Sequence, residues 1–353
     1  MFEDLLRAWD GEEVAVRFDA PTDTWMFVCV HSTVLGPAAG GTRMKIYRAP
    51  GDALGDGLRL SAAMTSKNAM AGLPLGGGKA VLAVPEIPSG SARRELLLRY
   101  ADLVESLHGT YRTACDMNTV SADMDVVGER TSHVFGRTEA AGGSGTSAPA
   151  TADGVFVGLR AAFAHAFGTE DLAGRIVAIQ GIGKVGDPLA RSLAAAGARV
   201  VLADVDDVRA KELANELDGS TVDADDVFDV QCDVFSPCAT GGVLSKDTIA
   251  RLRCRVVAGA ANNQLAEPEE ADRMAERGIV YAPDYVVNAG GIIHLASLEM
   301  LGEDIRARDE RIRAIGLTLR EVFRLADERG ISTAAAADTI AEQRLAAGGR
   351  SIR

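Results

Sequence analysis

Ile176-Val177-Ala178-Ile179-Gln180-Gly181-Ile182-Gly183-Lys184-Val185-Gly186 is the stretch that decides the fold of this chain. Its apolar start reads as a buried strand, it runs unbroken into G-x-G-x-x-G, and residues 187–196 read as a helix. A second strand follows at 199–203 and ends on Asp204. Strand before, helix after and an acidic residue closing the next strand distinguish a dinucleotide-binding turn from a chance match. The glycines permit a tight turn and let pyrophosphate approach the helix N-terminus, whose free N–H groups and dipole attract anions. Asp204, 18 residues beyond Gly186, is placed to accept hydrogen bonds from ribose hydroxyls and would repel a 2′-phosphate. Val205, Asp206 and Asp207 offer no compensating cation, and Arg209 is the nearest one. Gly181, Ile182, Gly183, Lys184, Val185, Gly186 and Asp204 are therefore expected to hold NAD rather than NADP.

Downstream, strand-like segments at 230–235, 256–258 and 279–281 alternate with helical patterns, as a parallel doubly wound sheet requires. Small and amide residues follow these strands, at Pro237-Cys238-Ala239, Gly259-Ala260-Ala261-Asn262-Asn263-Gln264 and Asn288-Ala289-Gly290-Gly291. Ligands of open α/β sheets bind beyond the carboxyl ends of strands, although each cluster taken singly equally suits a turn.

Upstream, residues 136–154 are rich in Gly, Ser, Thr and Ala and read as a linker or hinge, with a helix from about 155 to 167. Nearer the N-terminus, 25–31 reads as a strand, and a turn at Gly36-Pro37 leads into Ala38-Ala39-Gly40-Gly41-Thr42-Arg43, whose small residues favour close backbone approach. Leu54, Leu58 and Ala62 place a helical stripe within 52–69, with Met64 and Lys67 beyond it; 80–84 reads as a strand stopped by Pro85, and 91–107 as a helix. Lys67 then sits near a helix end and Lys79 at a loop-to-strand junction.

The 353 residues suffice for two domains. A net charge of −13 without a basic cluster argues against nucleic acid or an anionic membrane surface as partner. The acidic start and the lack of a long apolar run give no sign of a secretion signal or membrane span, and five cysteines without a C-x-x-C pair suit reduced thiols rather than a disulfide framework or a metal site, so a cytoplasmic, metal-free protein is expected. Only six of the 37 basic residues are lysines, and two of them, Lys67 and Lys79, bracket Leu75-Gly76-Gly77-Gly78. Unlike arginine, a desolvated lysine can lose its proton, which invites amine chemistry here. Lys67 equally suits the negative end of a helix dipole, Lys79 a solvated loop charge, and Asp116 a turn or helix-cap carboxylate.

Longer motifs carry a family resemblance. Pro37-Ala38-Ala39-Gly40-Gly41-Thr42-Arg43, Met64-Thr65-Ser66-Lys67-Asn68-Ala69, Gly76-Gly77-Gly78-Lys79, Asp116 with Asp123-Met124-Asp125, and the run from Tyr281 to Gly291 resemble the amino-acid dehydrogenases acting on glutamate, leucine, phenylalanine or valine, most of all the leucine/valine and phenylalanine enzymes. The resemblance runs from about Trp9 to the C-terminal helices. It implies an α/β protein of two domains, the second a Rossmann-type doubly wound sheet, with an active-site cleft between them. The domains would be 1–135 with about 330–353 for substrate binding and oligomerisation, a hinge at 136–150 for cleft closure, and 151–329 for NAD. It further implies reversible NAD-dependent oxidative deamination of a hydrophobic L-amino acid to its 2-oxo acid and ammonia, by a homo-oligomer.

Under the same resemblance, Lys67 would hold the substrate carboxylate. Lys79, deprotonated in a partly desolvated cleft beside another cation, would activate the attacking water, and Asp116 would exchange a proton with the substrate nitrogen. Gly40 and Gly41 would line the cleft with Met64, and Asn263 would help to place substrate or cofactor. Thr151, Asn262 and Asn288 would hold the nicotinamide, near Cys238, Ala239 and Ala260. Side-chain specificity would rest on Ala39, Ala114, Ile292 and Leu295. Ala39 and Leu295 resemble the phenylalanine enzymes, whereas Ala114-Cys115-Asp116, Ser66 to Ala69 and Ala260 to Leu265 resemble the valine and leucine enzymes. A glutamate substrate would need a further cation not identified among the pocket residues. His294, among Ile292, Ile293 and Leu295, reads as a hydrogen-bonded core residue without a catalytic role. A hydroxy-acid dehydrogenase would share the NAD fold but ordinarily use a His or Arg acid–base site. A non-catalytic NAD-binding sensor would keep the glycine turn and Asp204 without needing Lys67, Lys79 and Asp116 together.

Overall fold

The computed structural model describes residues 2–350, which divide into two compact units. The first comprises the described residues up to Thr146, Leu295–Gly302 and those from Ala341 onward; the second comprises Ser147–His294 and Glu303–Ile340.

In the first unit, α1 (Phe2–Trp9), β1 (Glu13–Asp19), β2 (Thr24–Ser32), β3 (Ala38–Lys45), α2 (Pro50–Met70), β4 (Gly76–Ala83), α3 (Gly90–Glu105), β5 (Tyr111–Cys115) and α4 (Ser121–Val127) follow in order. The sheet runs β1-β2-β4-β3-β5, antiparallel across β1/β2 and β2/β4, parallel across β4/β3 and β3/β5. Leu54 and Leu58 of α2 bury one face against Phe27, Cys29 and Val81, while Leu96, Tyr100 and Val104 of α3 and Met124 and Val127 of α4 bury the other against Met26, Met44 and Leu82. Both faces are covered, and the strands need not alternate polar with apolar.

The triple glycine is strand, so Lys79 lies inside β4, opposite Cys29 of β2, rather than at a loop-to-strand junction. A Cβ at Gly76 would stand 1.8 Å from the Ser32 carbonyl oxygen, and one at Gly77 2.0 Å from Thr65 Oγ1 of α2. Strand β2 and helix α2 approach β4 too closely there for any side chain, and the hydrophobic pattern that would announce a strand is absent.

The second unit carries α5 (Ala148–Phe167), β6 (Ile176–Gln180), α6 (Gly186–Ala195), β7 (Arg199–Ala203), α7 (Asp207–Glu216), β8 (Ser220–Thr221), β9 (Val234–Pro237), α8 (Lys246–Arg251), β10 (Val256–Val257), α9 (Glu270–Glu276), β11 (Val280–Tyr281) and α10 (Asp284–Val287). Helix α11 (Gly290–Glu299) changes unit between His294 and Leu295, α12 (Ile305–Arg329) belongs to the second unit, and α13 (Thr333–Arg350) changes unit after Ile340. The sheet is wholly parallel in the order β8-β7-β6-β9-β10-β11, with its reversal between β6 and β9, the doubly wound order of a dinucleotide-binding fold.

Residues 148–154, read from composition as linker, form the start of α5 with Pro149 in its first turn. A Cβ at Gly154 would lie 2.9 Å from Ile315 of α12, so the small residues serve close helix packing rather than flexibility. The preceding irregular segment is tied to α11: the Glu299 carboxylate accepts from the backbone N–H of Gly136 at 3.0 Å and of Ser144 at 2.9 Å, and from the Ser144 hydroxyl.

Candidate active site

Side chains alternate along β3 and β5, so Ala39, Gly41 and Arg43 share one face with Arg112 and Ala114, while Ala38, Met44 and Tyr111 enter the core behind. On β4, Lys79 takes the same side as Val81, toward α2. The β3/β4 ladder pairs Ala39 with Gly77 and resumes at Thr42 with Ala80, leaving Gly40 and Gly41 outside it. A Cβ on Gly40 would collide with the Gly78 carbonyl at 1.8 Å and sit 3.4 Å from Met64; one on Gly41 would stand 2.8 Å from Asp116 Cβ. These two glycines let β3 close on β4 and on Asp116. Lys67 lies partly buried in the last turn of α2, whose Thr65 abuts Gly77 of the Lys79 strand.

Asp116 follows the last residue of β5. Its backbone N–H donates to Thr119 Oγ1 at 2.9 Å, and that hydroxyl donates to the Thr42 carbonyl at 2.8 Å, fixing the strand exit. Asp116 does not cap α4, where Asp123 instead accepts from Val120 N–H at 2.9 Å. Lys79 Nζ and Arg43 Nε reach the same Asp116 oxygen, Oδ2, at 2.9 and 3.0 Å. Burial alone would raise the Asp116 pKa, but the charges of Lys79 and then Arg43 outweigh it and hold the carboxyl well below the usual carboxylate range. A half-buried carboxylate kept ionised beside a buried amine is an acid–base arrangement.

In the second unit Gly181 has φ +88° and would place a Cβ 2.8 Å from the Ala239 nitrogen, so the loop after β6 closes against the loop after β9 at the sheet's switch point. A Cβ on Gly186 would strike the Gly181 carbonyl at 1.9 Å, whereas that of Gly183 would meet nothing within 4 Å. The turn is tight at its ends and open in its middle, the cradle a pyrophosphate requires, with Ile182 buried beneath it and Lys184 exposed. Asp204 accepts from Ile182 N–H at 2.8 Å and Asp206 N–H at 3.0 Å, which locks it at the lip of the turn.

Cys238 N–H donates to the Gln180 carbonyl at 2.7 Å, and burial pushes its thiol pKa up. Asn288 Nδ2 donates to the Ala260 carbonyl at 3.1 Å and Asn262 Oδ1 at 3.0 Å, while its buried Oδ1 has no hydrogen-bond partner among the described residues. Asn263 stands at φ +52°, its N–H donating to Asp284 at 2.6 Å. Thr151 Oγ1 donates to Ser147 O at 3.1 Å and approaches Gly291, where a Cβ would be 2.6 Å away.

The substrate and catalytic candidates thus divide by unit. Ala39, Gly40, Gly41, Met64, Lys67, Lys79, Ala114, Asp116 and Leu295 belong to the first; Asn263, Ile292 and all the cofactor candidates belong to the second. His294 is 7% exposed and accepts from Arg308 at 3.1 Å, a packed role. Asp123 and Asp125 are also structural, holding Arg93 at 2.6 Å and Thr138 N–H at 2.8 Å. Sequence reading places Arg43 in a family motif without a role and does not single out Asp56. Arg43 was legible two residues beyond Gly41 on one strand face, but Asp56, between Leu54 and Leu58 on a helix, carries no signal of its own.

A family model described as Glu/Leu/Phe/Val dehydrogenase, dimerisation domain, matches residues 21–133, and one described as Glutamate/Leucine/Phenylalanine/Valine dehydrogenase matches 142–210 and 202–347. The chain is 41% identical to leucine dehydrogenase of Thermoactinomyces intermedius over 97% of its own length and 93% of that protein. It is 45% identical to valine dehydrogenase of Streptomyces coelicolor over 95% and 92%. The solved structure of L-tryptophan dehydrogenase from Nostoc punctiforme superposes with a TM-score of 0.85 at 35% identity, covering 99% of this chain and 100% of that one.

Proposed function

The chain belongs to the Glu/Leu/Phe/Val dehydrogenase family, and from that premise we propose that it catalyses reversible NAD-dependent oxidative deamination of a hydrophobic L-amino acid to its 2-oxo acid and ammonia. The observation that carries this reading is the pair of buried Lys79 and half-buried Asp116 beside the glycine-lined face of β3. Lys67 binds the substrate carboxylate as a charged partner. Asp116 takes and returns a proton at the substrate nitrogen, and Lys79, as the neutral amine, takes a proton from the water that attacks the substrate carbon. NAD, when bound, supplies the acceptor for the hydride leaving the substrate.

For the cofactor, Gly181, Gly183 and Gly186 cradle pyrophosphate, Asp204 accepts from the ribose, and the unpartnered Asn288 Oδ1 is available to a carboxamide N–H. NAD rather than NADP is supported by Asp204 and by Arg209, whose guanidinium lies 3.7 Å from Asp187. Assembly as a homo-oligomer through the first unit is supported by the dimerisation-domain match. A cytoplasmic site fits five cysteines, none in a disulfide. Among the described residues no helix is long and apolar enough to cross a membrane.

The test is NADH formation at alkaline pH from L-leucine, L-valine, L-isoleucine, L-phenylalanine, L-tryptophan and L-glutamate, compared by kcat/KM. Turnover of the hydrophobic substrates with little of glutamate supports the reading. Absence of turnover in protein that binds NADH overturns it in favour of a sensor or hydroxy-acid enzyme. Replacing Lys79 by Ala is expected to lower kcat by roughly 10²–10⁴-fold while sparing NADH affinity.

A further inference from the structure

Resting on this reading, we propose that Arg43 is a positioning residue of the deamination site: clamped by Asp56, its guanidinium holds Asp116 in place while Lys79 changes protonation state. Asp116 Oδ2 is shared between Lys79 Nζ at 2.9 Å and Arg43 Nε at 3.0 Å, and no group among the described residues bonds Oδ1, which is left for the substrate nitrogen. The other side of the guanidinium is occupied: Arg43 Nη1 meets Asp56 Oδ2 at 2.9 Å. Asp56 is itself held by Tyr47 OH and by Arg59 Nη2, each at 2.7 Å. The four side chains Asp56, Arg43, Asp116 and Lys79 are 14, 13, 21 and 7% exposed, so solvent screens the row weakly.

The chemistry gives the row its purpose. A carboxylate whose only cation is the catalytic lysine would lose that partner whenever the lysine becomes the neutral base. Arginine cannot give up its proton at working pH, and one planar guanidinium bonded to two carboxylates has its rotation fixed. Arg43 therefore supplies a constant charge at constant geometry, and Asp116 keeps a cation and its position while Lys79 is neutral, so that it can take and return the substrate proton. The Gly41 site, where a Cβ would stand 2.8 Å from Asp116 Cβ, is what lets the aspartate come close enough to β3 for this bond.

Full-length R43Q, R43K and D56N would be assayed with NAD and the best amino-acid substrate of the wild type, with pH profiles, NADH titrations and a carboxyl NMR titration of Asp116 in the free proteins. R43Q is expected to lower kcat by roughly tenfold to a hundredfold with a smaller change in KM, and to leave NADH affinity unchanged. The Asp116 titration should move to higher pH, because one of the two cations depressing that group is gone. R43K should recover part of kcat, and D56N, which keeps the Arg43 charge but leaves a neutral acceptor in place of the carboxylate clamp, should lower kcat with little movement of the Asp116 titration. Folded R43Q with wild-type kcat and an unmoved Asp116 titration overturns the proposal. If R43Q does not fold, D56N with wild-type kcat overturns it. A wild type without amino-acid turnover overturns the dehydrogenase reading instead, while the Asp116 titration still decides whether Arg43 governs that carboxylate.

Discussion

Lys79 and Arg43 converge on one oxygen of Asp116, with the Lys79 side chain only 7% exposed, so a neutral residue at 116 takes the carboxylate from Lys79 and leaves Arg43 with Asp56 alone. Asp116→Asn is expected to cost at the lower end of the roughly 3–5 kcal/mol seen when one partner of a buried ion pair is removed, measured by urea unfolding at neutral pH. The pH dependence has a definite sign. The folded Asp116 pKa is depressed, so the carboxylate stabilises the fold above its unfolded value and that stabilisation is lost as pH falls toward the folded one. Wild-type stability should thus fall below about pH 4 more steeply than that of Asp116→Asn, the two curves converging in acid. Ala39 is fully buried beside Gly77 in the β3/β4 ladder, and its small side chain is proposed to set the size of the substrate pocket. Ala39→Leu should lower kcat/KM for phenylalanine relative to valine by about 1–3 kcal/mol, tenfold or more, and an unchanged ratio would remove Ala39 from the pocket.

At the scale of elements, the two glycine clusters do different work. In β4 they are contact surfaces, where α2 presses on the strand so closely that Gly77→Ala would drive a methyl group against Thr65. After β6 they shape the backbone: Gly181 is left-handed and abuts Ala239. Gly181→Ala should therefore abolish NADH binding, followed by the cofactor's fluorescence, because the new Cβ meets both a disfavoured φ and the neighbouring loop. Both clusters read alike in sequence. Only the strand-turn-helix setting of residues 176–195 marks the second, whereas the first reads as loop before a strand because glycines carry no hydrophobic alternation.

At the scale of the molecule, the first unit is assembled from three separated stretches of chain. Glu299 accepts from Gly136 and Ser144, and Arg344 of α13 donates to the carbonyls of Ala69 and Met70 at 3.2 and 2.8 Å, capping the helix that carries Lys67. A fragment of residues 1–146 would leave those carbonyls and N–H groups without their partners. It should melt well below the full chain in circular dichroism, and co-expression with residues 290–353 should restore part of the difference.

The sequence by itself determined the parallel doubly wound unit, the glycine turn with Asp204, and the long motifs that mark an amino-acid dehydrogenase. Those features are local: an apolar run, a turn and a cap repeat within a few dozen residues, and the physics of each is written in neighbouring letters. Tertiary structure alone decided that Gly76 to Gly78 are strand, that α5 begins at Ala148, and that Asp56 of α2, Arg43 of β3, Asp116 beyond β5 and Lys79 of β4 form one charged row. That row joins residues far apart in the chain through side-chain direction and sheet order, neither of which leaves a periodic trace in the sequence.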